Sequence, residues 1–417
     1  MSLFKNFFDR ENKILLKKLL YWGLGIKRWL LLGAIGVLIV STGISYTVKN
    51  VFGLWVPDIL PGMWEGIFVG LIGIIILLFA ASGLLQSIAP ILFRIRGVQQ
   101  ITTAIYDRRS REKGPRIVAI GGGTGLSTLL KGIKEYSDNI SAIVTVTDEG
   151  GSSGRLRRDF SIIPPGDFRK CLVALSDDKL LGDVFEYRFT KGEGIEGHSL
   201  GNLFLTALTD ITGNFEEALS QSFQVLGIHG KILPSTSQPL HLSAIMSDGS
   251  QVIGETKIAN NANAIEHVSV TPKNPQGYLP AIEAINQADL VIVGPGSLFT
   301  SILPNLLVPD IRDAIHKTKA TSLYVSNVAN EPGETANFDL SDYIKTLEKH
   351  TNPNIIDYIL VHNNDIQSQK KSLPPSLTET YDAKIIFEDV VNDENVLIHD
   401  SKKLAKAIID LYYSNTT

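Results

Sequence analysis

Two long uncharged stretches stand near the start of the chain, at residues 29–48 and 66–93. Either could cross a hydrocarbon layer about 30 Å thick, because a helix rises about 1.5 Å per residue. The connection between them is nearly neutral, whereas residues 1–28 and 94–116 each hold seven Lys or Arg and only two acidic residues. The pattern predicts a transmembrane hairpin over residues 29–93 of a multi-pass protein in the cell membrane, with the N-terminus and the C-terminal domain in the cytoplasm.

The alternative for these two stretches is a buried helical hairpin of a soluble domain. Neither stretch contains a charged residue or a histidine. Transport and proton relay need polar groups inside the membrane, so the hairpin is expected to be an anchor in contact with lipid. The predicted organisation is a basic cytoplasmic N-terminus over residues 1–28, the hairpin over 29–93, a basic juxtamembrane linker over 94–114, and one domain over 115–417.

From residue 116 onward, short apolar runs alternate with amphipathic stretches. Alternating strands and helices predict an α/β fold, a doubly wound and mostly parallel Rossmann-like sheet that follows the two transmembrane helices. The period-two pattern around the Ser247-Asp248-Gly249 turn predicts an antiparallel hairpin over residues 238–258. The predicted strands cover residues 117–120, 142–147, 290–293, 322–325 and 358–361, and the predicted helices cover 126–136, 200–211, 215–226, 279–286, 340–350 and 404–412.

The amino-acid composition excludes some classes of protein. The chain has 417 residues, a net charge of −4 and a single cysteine, Cys171. A lone cysteine rules out an internal disulfide framework. The basic residues are concentrated in the first 116 positions, which leaves residues 117–417 near −13. No nucleic-acid partner is therefore expected for the α/β domain.

Two strands each end in a run of glycines that opens a helix. Strand 117–120 runs into Gly121 to Gly125, and strand 290–293 runs into Gly294-Pro295-Gly296-Ser297. Such a turn presents backbone N–H groups and the positive end of the helix dipole to an anion, usually a phosphate. The spacing matches neither the dinucleotide fingerprint nor a P-loop. A tight turn without a ligand is the alternative.

The second strand ends at Asp148 and Glu149, followed by a Gly/Ser run with three arginines. Asp148 could bind a ribose hydroxyl, or it could hold a divalent cation such as Mg²⁺ together with Glu149. The run from Ser152 to Arg158 suits a loop that wraps a phosphate or diphosphate. A solvated charged loop is the alternative.

Further polar residues stand at predicted element ends. Asp167 is placed to cap the helix over residues 168–175, and Asn202 opens another helix where its side chain could reach a ligand. His198 is equally compatible with an ordinary surface histidine. Asn327 follows strand 322–325 on the same rim, and Glu334 could bind a ribose or sugar hydroxyl.

Taken in order, the motifs GGGTGLS, TDEGGSSGRLRRDF, IPPGDF, GHSLGN, GPGSLFTSILPNLLVPDI and PGET resemble the YvcK-like proteins, often called gluconeogenesis factors. These are a branch of the superfamily that includes the CofD-type 2-phospholactate transferases. The resemblance covers residues 115–417. It implies a cytoplasmic regulator of cell-wall synthesis and cell shape that binds UDP-N-acetylglucosamine when growth depends on gluconeogenesis. Cell-wall synthesis proteins and a second copy of the chain are the implied protein partners.

Glu149 departs from the family pattern, which usually has a second Asp there, and the longer side chain puts metal binding by this pair in doubt. No resident cofactor is required by the resemblance; the UDP-sugar is the ligand, and Mg²⁺ belongs to the enzyme alternative. Motifs and resemblance together predict a ligand-binding set made of Gly121, Gly122, Gly123, Thr124, Gly125, Asp148, Ser152, Ser153, Gly154, Arg155, Asp167, Asn202, Gly294, Pro295, Gly296, Ser297 and Asn327.

Three functions compete at this point. The first is a non-catalytic nucleotide-sugar sensor, favoured because the sequence shows no Ser/His/Asp set and no Cys/His pair. The second is a CofD-like transferase that uses a nucleotide diphosphate donor and Mg²⁺, with Asp148 and Asn202 as catalytic residues. The third is an NAD-binding dehydrogenase, which the altered glycine spacing disfavours most.

Overall fold

A computed structural model of the chain describes residues 26–52, 63–92, 109–363 and 383–416. The chain divides into two compact units, Met1–Glu112 and Lys113–Thr417. In the described part of the first unit, two long helices pack against each other, α1 (Ile26–Phe52) and α2 (Met63–Leu92). Trp29 and Phe79 meet edge to face across this helix pair, with ring centroids 5.6 Å apart.

The two uncharged stretches thus form helices, but the predicted membrane crossing is wrong. The structure describes side chains over residues 29–45 of α1 and 67–83 of α2. A crossing helix needs about 20 consecutive apolar residues. In the described part of the chain, none of the helices has the length and apolar character to span a membrane. This finding overturns both the transmembrane hairpin and the multi-pass location. The predicted basic N-terminus and linker lie largely outside the described residues.

The second unit is built on a seven-stranded sheet in which every strand pair is parallel. The central strands are continuous apolar runs, as expected for a sheet covered on both faces. Its strands are β1 (Ile117–Gly121), β2 (Ile140–Val144), β3 (Lys231–Pro234), β7 (Leu290–Val293), β8 (Thr321–Val325), β9 (Tyr358–His362) and β10 (Lys384–Glu388). Their order across the sheet is β10-β9-β8-β7-β1-β2-β3.

Helices connect and cover these strands. A π-helical turn, Leu298–Ile302, follows β7 directly. The α-helices of this unit are α3 (Gly123–Ile133), α4 (Gly151–Phe160), α5 (Gly166–Leu175), α6 (Lys179–Glu186), α7 (Leu200–Thr212), α8 (Phe215–Leu226), α9 (Glu255–Ala259), α10 (Leu279–Gln287), α11 (Leu303–Leu306), α12 (Pro309–Lys317), α13 (Leu340–His350) and α14 (Ser401–Thr416).

The predicted α/β class and mostly parallel sheet are confirmed. The predicted hairpin is also present, as β4 (His241–Met246) and β5 (Gln251–Ile253). It forms a separate antiparallel sheet of order β5-β4-β6 with β6 (Ile265–Thr271), a strand that the sequence pattern did not predict. Strands β3 and β10 were also missed.

The order of the strands creates one point where the chain reverses direction across the sheet. From β1 the chain moves outward through β2 to β3, then returns to β7 on the other side of β1 and continues to β10. The connections after β1 and β7 therefore diverge. In open α/β sheets, ligands bind in the crevice at such a switch point, outside the carboxyl ends of the strands.

Candidate functional site

A cleft of about 780 Å³ lies at this switch point. Ten of the predicted residues line it: Gly122, Gly123, Thr124, Gly125, Asp148, Asp167, Pro295, Gly296, Ser297 and Asn327. The predicted ligand-binding set did not include the remaining lining residues, which are Thr128, Lys170, Glu255, Thr300, Ser301, Val328, Ala329, Asn330, Glu331, Pro332, Leu397, Ile398 and His399.

The two glycine turns lie side by side because β1 and β7 are neighbours. The Gly294 N–H donates to the Ile120 carbonyl oxygen at 2.8 Å. A β-carbon on Gly125 would collide with the backbone of Pro295, so this close approach of two main chains requires glycine. Gly123 has a φ of 62° and Gly294 a φ of 85°, both in the left-handed region that favours glycine.

The first turn leaves the start of α3 without a cap. Gly122 occupies the N-cap position and has no side chain to bond the first-turn N–H groups. The first N–H groups of a helix have no partner within the helix, and the helix dipole places partial positive charge there. The exposed Thr124 lies in this first turn and faces the cleft. The end of α3 is therefore suited to an anion such as a phosphate.

The second turn is held by carboxylates from the loop after β8. Glu331 accepts a hydrogen bond from the Ser297 hydroxyl at 2.6 Å. Glu334 is buried and accepts from the Phe299 N–H at 2.9 Å and from the Thr300 hydroxyl at 2.5 Å. Burial and the charge of Glu331 raise the pKa of Glu334 to about 7. The carboxylate of Glu334 thus forms its hydrogen bonds within the protein. This corrects the expectation that Glu334 binds a sugar hydroxyl.

Acidic side chains meet on the β2 side of the cleft. Asp148 accepts from the Gly150 N–H at 2.8 Å, and burial together with the charge of Asp167 raises the pKa of Asp148. Lys170 approaches Asp167 at 3.3 Å. Burial, reinforced by the Asp148 and Asp167 charges, raises the pKa of Glu255 to about 9, so this carboxyl carries a proton at neutral pH.

Glu255 and Lys170 are functional-site candidates that sequence reasoning missed. Glu255 follows the inserted hairpin, and only the packing of the small sheet brings it to the cleft. Lys170 stands on α5, three residues after Asp167, and therefore on the same helix face. That spacing is a signal that could have identified Lys170. Asp167 is in the first turn of α5 and does not cap it; Pro165 holds the N-cap position, so the predicted capping role is wrong.

The predicted acidic pair separates in the structure. Asp148 lines the cleft, whereas Glu149 accepts from His241 Nδ1 at 3.0 Å and lies 3.8 Å from Arg157 Nη1. These partners engage the Glu149 carboxylate outside the cleft lining. Over the residues that the structure describes, no group of three or more His, Cys, Asp or Glu is arranged to hold a metal ion. The Asp148–Glu149 cation site is therefore not formed.

The Gly/Ser/Arg run is a helix, α4, and not a wrapping loop. Ser152, Ser153 and Gly154 are buried on it and do not line the cleft. Arg155 donates to the Glu196 carbonyl oxygen at 2.8 Å, and the buried Arg157 donates to the Leu240 carbonyl oxygen. Arg155 and Arg157, two of the three arginines that were expected to bind a phosphate, thus hold α4 against its neighbours.

Asn202 belongs to the same internal packing. Its amide donates to the Ser152 hydroxyl at 3.0 Å and its Oδ1 accepts from Arg169 Nε at 3.1 Å. His198 lies 2.9 Å from Ser152 through Nδ1 and is buried, so it is not a surface histidine. Asn202 is only 2% exposed and does not line the cleft, which places it in a supporting network. Gly121 and Gly294 also stand just behind the cleft lining.

The doubly wound sheet, with an uncapped helix end at its switch point, defines an α/β protein with a cleft at the carboxyl ends of its strands. The family model described as "2-phospho-L-lactate transferase CofD" matches residues 117–403. The chain belongs to this family, in the branch whose members are named gluconeogenesis factors. A relative from Nostoc sp. is 41% identical and covers 94% of this chain and 91% of its own length.

Two further relatives each match 71% of the chain. "Gluconeogenesis factor" of Bacillus subtilis is 44% identical and covers 71% of this chain and 98% of its own length. A crystal structure of a UPF0052 family member from Bacillus halodurans is 41% identical, with a TM-score of 0.67, and covers 71% of this chain and 99% of its own. Both relatives are matched over nearly their whole length.

Proposed function

We propose that the chain binds a nucleotide sugar of the UDP-N-acetylglucosamine type in the switch-point cleft and acts as a regulatory binding protein. The observation that carries this proposal is the uncapped start of α3, with the Gly122 to Gly125 turn open to the cleft. Backbone N–H groups at a helix start bind phosphate groups without a basic side chain. A diphosphate is thus the group that this part of the cleft suits best.

The size of the cleft and the family support the same conclusion. A volume of about 780 Å³ falls in the range of small-molecule sites, roughly 300–1,000 Å³. The resemblance to the YvcK-like proteins implies a UDP-sugar and a role in cell-wall synthesis and cell shape. The name "Gluconeogenesis factor", which the Bacillus subtilis relative carries, fits a protein needed when sugars must be synthesised.

Ligand binding is tested by thermal unfolding of the full chain with increasing UDP-N-acetylglucosamine. A ligand that binds only the folded state stabilises it by RT ln(1 + [L]/Kd). Thr124→Glu places a carboxylate at the start of α3, where it satisfies the helix dipole and repels the diphosphate. We expect Thr124→Glu to fold and to lose the ligand-induced shift, whereas the neutral control Thr124→Gln keeps most of it. Absence of a shift in the wild-type chain at millimolar ligand would refute the proposal.

The regulatory role is tested in cells that lack the gene. Growth and cell shape on a gluconeogenic carbon source should be restored by the wild-type chain and by Thr124→Gln, but not by Thr124→Glu. Equal rescue by the two variants would separate the cellular role from ligand binding and would contradict the proposal.

A CofD-like transferase is the second candidate, favoured by the family match and by Asp148 and Asp167 beside the glycine turn. Asp148 and Asp167 would be the carboxylates that face an Mg²⁺ carried by a nucleotide diphosphate donor, and this cation would neutralise the donor's phosphates. Metal-dependent transfer of a phospholactyl group from a guanosine diphosphate-type donor to an acceptor hydroxyl, with release of GMP and with loss of the reaction in Asp148→Asn, would support this function. A donor that remains intact after long incubation with the wild-type chain would argue against it.

A further inference from the structure

The two ends of the cleft differ in chemistry. On the β2 side lie Asp148, Asp167 and Glu255. At the other end, Leu397 and Ile398 line the cleft although their side chains are 66% and 48% exposed. Val328, Ala329 and Pro332 add further apolar surface to the lining. Exposed apolar side chains grouped on the rim of a cleft are typical of a ligand-binding surface.

The segment that carries Leu397 and Ile398 is fixed in place by hydrogen bonds. Asn392 Oδ1 accepts from the N–H groups of Glu394 and Asn395, and Asn395 Oδ1 accepts from the Leu397 N–H at 3.1 Å. The Asn392 N–H donates to the Ile398 carbonyl oxygen at 3.0 Å. The exposure of these apolar side chains is therefore built into an ordered turn.

The strand order shows how far apart these two ends are. The buried His399 donates from Nε2 to the Ser326 carbonyl oxygen at 3.2 Å, which ties the apolar end to the residue after β8. Asp148 follows β2 on the opposite side. Three strand intervals separate β8 from β2, through β7 and β1. At about 4.8 Å for each interval, the ends are about 14 Å apart, with both glycine turns between them.

We infer that the cleft binds its ligand in one direction, with a flat apolar ring on Leu397 and Ile398, a diphosphate on the glycine turns, and a hydroxylated sugar beside Asp148 and Asp167. This inference rests on the proposed function and deepens it. A ring buries apolar surface on the two side chains, and carboxylates accept hydrogen bonds from sugar hydroxyls. A nucleoside diphosphate sugar has these three parts in this order.

The orientation is tested by calorimetric titration of the full-length chain with three probes: UDP, UDP-N-acetylglucosamine and N-acetylglucosamine 1-phosphate. Replacing both Leu397→Ser and Ile398→Ser should weaken UDP and UDP-N-acetylglucosamine about tenfold or more and leave N-acetylglucosamine 1-phosphate unchanged. Val396→Ser is the matched control, because Val396 is 66% exposed in the same turn but does not line the cleft. Asp148→Asn should weaken UDP-N-acetylglucosamine and not UDP.

Several results would overturn the orientation. One is the opposite pattern, in which the double variant weakens only the sugar phosphate. A second is an equal loss of affinity in Val396→Ser, which would show that the substitutions act by disturbing the turn as a whole. A third is a change in oligomeric state of the double variant, which would assign Leu397 and Ile398 to contact with a second copy. If the wild-type chain binds no probe, the proposed function fails and the orientation fails with it.

Discussion

Asn327 and Gly296 bind each other through two hydrogen bonds. The Gly296 N–H donates to Asn327 Oδ1 at 3.2 Å, and Asn327 Nδ2 donates to the Gly296 carbonyl oxygen at 3.0 Å. Asn327 Nδ2 also donates to Glu331 at 3.0 Å. A residue predicted to contact the ligand therefore fixes the second glycine turn with its own side chain.

Replacement of Asn327 should loosen this turn and weaken ligand binding. Asn327→Asp keeps the acceptor for the Gly296 N–H but sets a carboxylate against the Gly296 carbonyl oxygen and Glu331. We expect Asn327→Asp to lower the free energy of unfolding by about 1–3 kcal/mol and to reduce affinity more than Asn327→Ser does. Chemical denaturation and calorimetry measure the two effects. Equal stability and affinity of Asn327→Asp and wild type would show that the hydrogen bonds between Asn327 and Gly296 contribute to neither property.

Gly125 should tolerate no side chain. A β-carbon there would meet the Pro295 main chain, so Gly125→Ala must push the two glycine turns apart. We expect a loss of about 1–3 kcal/mol of stability together with loss of the ligand-induced shift in melting temperature. Gly182→Ala in α6 is the control, since its β-carbon would make only an ordinary contact with Val173 of α5. That control should be neutral or slightly stabilising. Unchanged binding in Gly125→Ala would contradict the packing argument.

Lys170 should contribute to affinity through its charge. Among the residues that line the described cleft, it is the single lysine or arginine. Lys170→Gln leaves the acidic side chains without this compensation, so affinity for UDP-N-acetylglucosamine should fall about tenfold or more and depend less on salt. Lys131→Gln, exposed in the last turn of α3, is the charge-matched control. A loss of the same size in both variants would indicate a general effect of net charge.

Glu255 should make the protein less stable as the pH rises. The pKa of this carboxyl is about 9 in the folded protein against 4.5 for an ordinary glutamate. Between these values the unfolded chain has released the proton and the folded protein still holds it, so folding becomes less favourable with increasing pH. Glu255→Gln does not titrate and should gain roughly 3 kcal/mol relative to wild type between pH 4.5 and pH 7.

The measurement for Glu255 is urea denaturation across this pH range, with EDTA present. Glu283→Gln removes an exposed carboxylate from α10 and serves as the control, with a difference from wild type that stays constant with pH. A constant difference for Glu255→Gln as well would mean that Glu255 is ionised at neutral pH.

Much of the central sheet was predictable because its strands are buried on both faces. Strands β1 and β7 appear in the sequence as uninterrupted apolar runs, and each was placed within one residue of its observed end. The glycines after both strands identified the cleft for the same local reason, since their conformations and close approach depend on the absence of a β-carbon.

The missed parts of the site depend on distant contacts. The start of α4 is rich in Gly and Ser, which form helices poorly, and burial of Ser152 and Ser153 overrides that preference. Ser152 also shows why the sequence did not reveal the internal hydrogen bonds of Asn202. From the sequence alone, an Asn that forms a hydrogen bond with a buried Ser cannot be distinguished from an Asn whose side chain binds a ligand. Glu255 offered no local signal, because its burial arises from the small sheet.

The adjacency of β1 and β7 has a consequence for synthesis of the protein. The two strands that carry the glycine turns are separated by more than half of the domain in sequence and meet only in the finished sheet. A chain emerging from the ribosome holds the Gly122 turn early, but it cannot complete the cleft until β7 and the Leu397 segment have been made. A ligand bound in this cleft would require both halves of the domain to have docked, and it would stabilise the contact between parts of the domain that are synthesised at well-separated times.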